Sequence, residues 1–367
     1  MILRLVVSWA AVVAFQLFGA QLLGQLGPVV PSLLVFASLL GVIVWSAFGV
    51  VHEAEELAHR LGEPFGTLIL TLAIVIIEVA LISAVMLGAK GAPTLGRDTM
   101  FAVLMIVLNG VVGVGLLIGG FRHFSQRYNL KGASSYLAII IPLTVIPLIL
   151  PNFTTSTNEG TLSTAQAAMF SLFTIGLYGA FLVLQIGRHS GFFQEPVDEK
   201  DEQDADRTEA GHHPPAGGSN MVHVVLLLAN ILPIVILAKS LATVLDYGIA
   251  RLGAPAALGG VLIAMVVFTP ECIAALRAIT ANQMQRAINL CLGAATSTLG
   301  LTVPAVLGIG LLTGQPVILG LSAANMVVLA MTLLLSTLTF TGTRTTMLEG
   351  AVHLSVFFVF LVLIFSP

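Results

Sequence analysis

The chain has 367 residues, 57% of them hydrophobic and 9% charged, and a formal net charge of −3; its mean hydropathy is +1.01. A soluble protein would carry about 25% charged residues, so the composition excludes a soluble globular domain and points to an integral membrane protein with many spans. No broad basic patch is present to bind nucleic acid, and the long apolar runs are unlike the alternating ~10-residue strands of a β-barrel.

In chain order, apolar windows predict eleven helices, at about 4–24, 31–51, 65–88, 99–121, 134–151, 164–187, 220–245, 255–279, 286–312, 316–339 and 346–365. The first follows Met1-Ile-Leu-Arg4 and shows no clear small-x-small cleavage site ahead of a soluble domain, so it reads as a retained helix, not a signal peptide. Positive charge tests the count. With the N-terminus in the cytoplasm, the cytoplasmic segments hold Arg4, Arg60, Arg122, Arg127, Lys131, Arg188, Lys200, Arg207, Arg277, Arg286 and Arg344, eleven of the fifteen Lys and Arg. The opposite side holds Lys90, Arg97 and Arg251, and Lys239 lies within a span. That asymmetry supports eleven spans and puts the C-terminus outside.

The segment from about 188 to 219 divides the chain. It is rich in Asp and Glu, including Asp198, Glu199, Asp201 and Glu202, and then runs Pro214-Pro-Ala-Gly-Gly. Such a stretch is expected to be at most marginally helical. The two sides of it resemble each other. Leu61-Gly-Glu-Pro64 precedes the span carrying Glu78, and Leu252-Gly-Ala-Pro255 precedes the span carrying Glu271, with Pro-to-Glu spacings of 14 and 16. The expected organisation is therefore an all-α membrane protein in four parts. Residues 1–30 form an extra N-terminal helix, 31–187 a first five-helix repeat, 188–219 an acidic cytoplasmic linker, and 220–367 a second five-helix repeat. Five spans is an odd number, so the second repeat must be inverted relative to the first, which is the plan of many secondary transporters.

Glu78 and Glu271 are the residues that carry chemistry. Each lies near the middle of its span, about 20 Å along at 1.5 Å per residue. A carboxylate at that depth costs a few kcal/mol or more and marks an ion or proton pathway. Pro270 removes an N–H just before Glu271 and leaves carbonyls near Val266 and Val267 free. Those carbonyls, with the hydroxyls of Thr71 and Thr269, are hard oxygen donors of the kind that calcium and sodium prefer. Asn282, Gln285, Asn289 and Gly293 recur at helical spacing, followed by Thr296, Ser297, Thr298 and Thr302; the first half offers Asn109, Gly113 and Gly115. Helix packing accounts for most such polar and small positions. Asn109, Asn289 and Ser297 are chosen as further candidate ligands.

Other groups are peripheral. His52, Glu56 and His59 share a helical face at the mouth of span three and, with the acidic linker, are candidates for regulation. His212-His213 reads as solvated linker. Cys272 and Cys291 fit no disulfide or metal pattern and read as packing residues.

Gly62-Glu-Pro-Phe-Gly-Thr-Leu-Ile-Leu-Thr71 with Glu78 resembles the first signature of the ChaA-like bacterial branch of the cation/proton exchanger family. Pro270-Glu-Cys-Ile-Ala-Ala-Leu-Arg-Ala, Ala281-Asn-Gln-Met-Gln-Arg-Ala-Ile-Asn-Leu-Cys-Leu-Gly293 and Leu299-Gly-Leu-Thr-Val-Pro304 resemble the second. The resemblance implies eleven spans, an acidic connector between spans six and seven, and essential acids on spans three and eight, which fall on Glu78 and Glu271. One departure is that many superfamily members carry Gly-Asn just before each acid, where this chain has Ile74-Val75 and Val267-Phe268. The resemblance and the buried acids together suggest a carrier in the bacterial inner membrane that exchanges cytoplasmic Ca2+, or Na+ or K+, for external H+ by alternating access. Its principal alternative is a monovalent cation/proton antiporter. A membrane enzyme fits less well, because no interfacial catalytic cluster or nucleotide motif is found, and two asymmetric carboxylates in an inverted repeat favour a carrier over a passive channel. The reading calls for no cofactor, treats Ca2+ as cargo, and is compatible with a homo-oligomer.

Overall fold

The computed structural model describes residues 2–24, 29–61, 65–86, 92–196, 220–342 and 344–366. Among these, eleven long helices account for the architecture: α1 (Ile2–Gly24), α2 (Val29–Leu61), α3 (Phe65–Met86), α4 (Leu95–His123), α5 (Leu130–Leu148), α6 (Thr164–Ile186), α7 (Asn220–Leu252), α8 (Ala257–Thr280), α9 (Met284–Thr313), α10 (Ala323–Thr339) and α11 (Met347–Phe365). Nine are long and apolar enough to cross a membrane; α3 and α10 contribute the shorter apolar stretches Leu72–Ala84 and Ala323–Thr339. The protein is a multi-pass membrane protein, all helical as expected.

Three helices depart by several residues from the bounds that hydropathy suggests; one is α7, which runs on past 245 to Leu252. α2 continues to Leu61, so His52 and Glu56 belong to its last turns and not to the mouth of α3. The charged residues there are good helix formers, and hydropathy marks where the apolar stretch ends, not where the helix ends. In the other direction, residues 316–322 are not helical and α10 begins at Ala323. Pro316 cannot donate a backbone hydrogen bond. The segment instead pairs with neighbouring loops, Ile318 N donating to Pro93 O (2.8 Å) and Leu321 N to Leu148 O (2.9 Å). Ser322 then caps α10 by accepting from Asn325 N.

α4, α8 and α9 are the most enclosed helices, whereas α1, α6 and α11 keep most of their surface outward, as lipid-facing helices do. Close approach at the centre depends on missing side chains. A Cβ on Gly260 of α8 would lie 2.6 Å from Thr99 N and 2.7 Å from Asp98 C of α4, both backbone atoms. Gly113 of α4 and Gly350 of α11 are pressed together in the same way, each Cβ position within 3.0 Å of the other's carbonyl oxygen. α1 lies against both α2 and α7. Its Ser8 hydroxyl bonds that of Ser46 (2.6 Å) and its Trp9 Nε1 donates to Ala229 O (3.0 Å).

The internal repeat is written into helix geometry as well as count. α4 turns π-helical over Met105–Val111, and α9 does so over Thr298–Thr302. The two π-segments start 193 positions apart (298 − 105), the same offset that separates Glu271 from Glu78 (271 − 78). π-helix is rare and tends to mark functional sites, so its recurrence in register with the two acids makes α3–α4 and α8–α9 equivalent pairs.

Candidate functional site

Glu78 on α3 is fully buried. Its Oε2 accepts a hydrogen bond from the Thr298 hydroxyl at 3.0 Å, and the Thr302 hydroxyl, one turn along α9, also faces the carboxyl without closing a hydrogen bond. The remaining oxygen, Oε1, is buried and unpartnered. The π-segment brings both threonines onto the face that meets α3. Residues four apart share a helix face, so both hydroxyls turn to the same partner.

Glu271 on α8 is 6% exposed, and both of its carboxyl oxygens are buried without a hydrogen-bond partner. It borders a cavity of about 10 Å³, lined by Val107 and Val111 of α4, Cys272, and Leu290, Cys291 and Ala294 of α9. That is room for about one water or a bare ion. α8, which carries Glu271, packs against both α3 and α2. Unpaired buried carboxyl oxygens are rare in proteins and call for an explanation such as an ion or a proton. α8 stays helical through Pro270, which has no N–H for Val266 O to accept.

The other sequence candidates fall elsewhere. Asn109 sits on the α4 π-segment, but its amide turns toward α10 and α11: Nδ2 donates to Thr332 Oγ1 (2.8 Å) and Oδ1 accepts from His353 Nδ1 (3.1 Å). Asn289 donates to Phe193 O (2.6 Å) and accepts from Gln285 Nε2 (2.9 Å). It lies nine residues before Thr298 on α9, about 13 Å along the helix, and docks the chain that follows α6. Ser297 bonds the Ala294 carbonyl (3.0 Å), and Thr269 the Met265 carbonyl (2.5 Å). Val267 is buried in the core. His52 is exposed and Glu56 partly so. The side chains of Thr71 and His59, and Asp198, Glu199, Asp201 and Glu202 altogether, lie outside the described residues.

Three features escaped the sequence. Thr298 and Thr302, not Ser297, face Glu78, and no spacing rule separates them from Thr296 and Ser297 until the π-segment is known. His353 is a fully buried histidine in α11. Glu53 of α2 is buried and pairs with His223 of α7 at 2.8 Å. His353 is a lone polar residue in an apolar helix, and Glu53 stands among the other charged residues at the end of α2, where sequence alone does not say which one is buried.

Eleven helices, with buried carboxylates on α3 and α8 set apart by the same offset as two π-segments, fit a membrane ion exchanger. The sodium/calcium exchanger protein family matches residues 31–187 and 222–366, and the chain belongs to that family. α1 lies outside the matched residues. Over 356 residues, the chain is 39% identical to the sodium-potassium/proton antiporter ChaA of Escherichia coli (strain K12), covering 97% of this chain and 94% of that one. It is 40% identical over 329 residues to the putative ionic transporter y4hA of Sinorhizobium fredii (strain NBRC 101917 / NGR234), 89% of this chain and 87% of that one. A crystal structure of the Ca2+/H+ antiporter YfkE aligns over 100% of both chains with a TM-score of 0.71 at 16% identity, a likeness of fold.

Proposed function

We propose that the protein exchanges a cation, calcium in the first instance, for protons, and that Glu78 and Glu271 bind the two in competition. The observation that carries this is the state of the two carboxyl groups: they are separated by the same offset as the two π-segments, both are buried, and among the described residues three of their four oxygens have no partner. Two ionised carboxylates cannot stay bare at this depth. A divalent cation neutralises both, and so do two protons. Calcium takes six to eight oxygens. Two bidentate carboxylates and the hydroxyls of Thr298 and Thr302 would supply about six, and the Val266 carbonyl is a further donor. The bias of Lys and Arg supports a cytoplasmic N-terminus, so that inward proton flow would expel the cation.

The name of the 39% identical relative, a sodium-potassium/proton antiporter, favours a second reading in which the same acids take one monovalent ion. Everted membrane vesicles separate the two. Proton release on adding CaCl2, but not NaCl or KCl, supports calcium; the reverse supports the monovalent reading; release by none of them would sink both.

A further inference from the structure

The polar cluster around Asn109 does not reach the carboxylates, yet it is fully buried and fully bonded. In the neutral imidazole, His353 Nδ1–H donates to Asn109 Oδ1 (3.1 Å) and Nε2 accepts from the Thr339 hydroxyl (3.0 Å). Asn109 Nδ2 donates to Thr332 Oγ1 (2.8 Å), whose own proton goes to Val328 O (2.8 Å). Asn109, Thr332 and His353 are all 0% exposed. Such a chain ties one residue of α4 to both α10 and α11, and a buried network of this kind specifies a unique arrangement when every member is satisfied.

That residue lies inside the π-segment. Under the repeat offset, Asn109 corresponds to Thr302 (302 − 109 = 193). In α9 the π-segment turns its polar groups to Glu78. In α4 it turns Asn109 away and presents Val107 and Val111 to the Glu271 cavity. A π-segment holds an extra residue in its turn, and relaxing it to α-helix would rotate one part of α4 against the other by about 100°. The face that carries Val107 and Val111 would then turn relative to Glu271 and change the wall of the cavity.

We propose that His353 is a positioning residue for exchange. Through Asn109 it holds the α4 π-segment in the register that shapes the cavity beside Glu271. The proposal rests on the reading of Glu271 as an ion-carrying group.

Asn and Gln separate the two ends of the imidazole. The amide nitrogen of Asn reaches where Nδ1 stands; that of Gln reaches where Nε2 stands. In everted vesicles, His353→Asn should keep the half-saturating CaCl2 or NaCl concentration within about twofold of wild type. His353→Gln and Asn109→Leu should each raise it about tenfold, the consequence of one buried unpaired polar group, and the double variant should be no worse than either. A space-filling role alone would not favour Asn over Gln. His353→Gln matching wild type, or His353→Asn failing as badly as His353→Gln, overturns the proposal. If His353→Gln is not recovered folded, Thr332→Val, which removes Asn109's other partner, must show the same shift, and an unshifted value overturns it too. Glu271→Gln tests the underlying reading separately: transport surviving in that variant removes the role of Glu271 whatever the His353 variants do.

Discussion

Glu78 and Glu271 occupy equivalent places in two halves of one fold, but their surroundings differ in kind. Glu78 is sealed and held by a threonine from the facing π-segment. Glu271 is slightly exposed, has no hydrogen-bond partner for either oxygen, and faces two valines and two cysteines across a small cavity. The inverted repeat thus conserves backbone geometry and lets chemistry diverge. The two π-segments begin in register, yet one offers hydroxyls to its acid and the other offers methyl groups.

The largest effect should come from removing either acid. Glu78→Gln and Glu271→Gln are each expected to abolish cation-dependent proton release in vesicles while the purified protein keeps its helical circular dichroism. Robust exchange in either variant breaks the pairing of the two acids. Next is Thr298→Val, which strips the hydroxyl that is hydrogen-bonded to Glu78. A hydrogen bond to a charged group is worth roughly 1.5–3 kcal/mol, so the half-saturating cation concentration should rise on the order of tenfold or more. An unchanged value would mean that the hydroxyl does not act on the bound ion.

A smaller effect sharpens the comparison through packing. Gly260→Ala drives a methyl group into the α4 backbone and should cost about 1–3 kcal/mol, read as a lower melting temperature in detergent. Gly293→Ala meets nothing nearer than Tyr136 Oη at 3.6 Å and should be tolerated. Equal melting of the two variants would show that the α4–α8 approach is looser than described.

The smallest effect concerns Glu195, just beyond α6. Desolvation holds its carboxyl above the usual range, partly offset by hydrogen bonds from the backbone of Gln285 and Arg286 at the start of α9. A raised acid favours the folded state below its unfolded pKa and loses that contribution as pH rises through the folded value. The group is largely solvent-exposed, so screening keeps the effect small. Mild acidification should raise the melting temperature slightly, and Glu195→Gln should flatten that dependence; an identical slope in the variant removes Glu195 as its source.

Much of the molecule is legible in its sequence because membrane solvation is a strict constraint. Long apolar runs can only be helices there, and an intramembrane carboxylate stands out against them. Composition and hydropathy therefore reveal the helices and their number, and pick out Glu78 and Glu271 as candidates. The partners of the two acids are another matter. Asn109 and Asn289 have the right chemistry at helical spacing, but which way an amide points depends on what packs beside it. Asn109 meets His353 and Thr332, and Asn289 meets the chain after α6.

The sequence by itself determined the solvent of the chain, its helices, its repeat and its two acids, since each of these is set by hydrophobicity and its local pattern. Only the tertiary structure decided the company each acid keeps. Thr298 reaches Glu78 across 220 residues of chain, and the turn that aims it is a π-segment with no signature in a single apolar helix. Hydropathy is additive along the chain, whereas the direction of a side chain is set by helix register and by neighbours distant in sequence, and only folding brings those together.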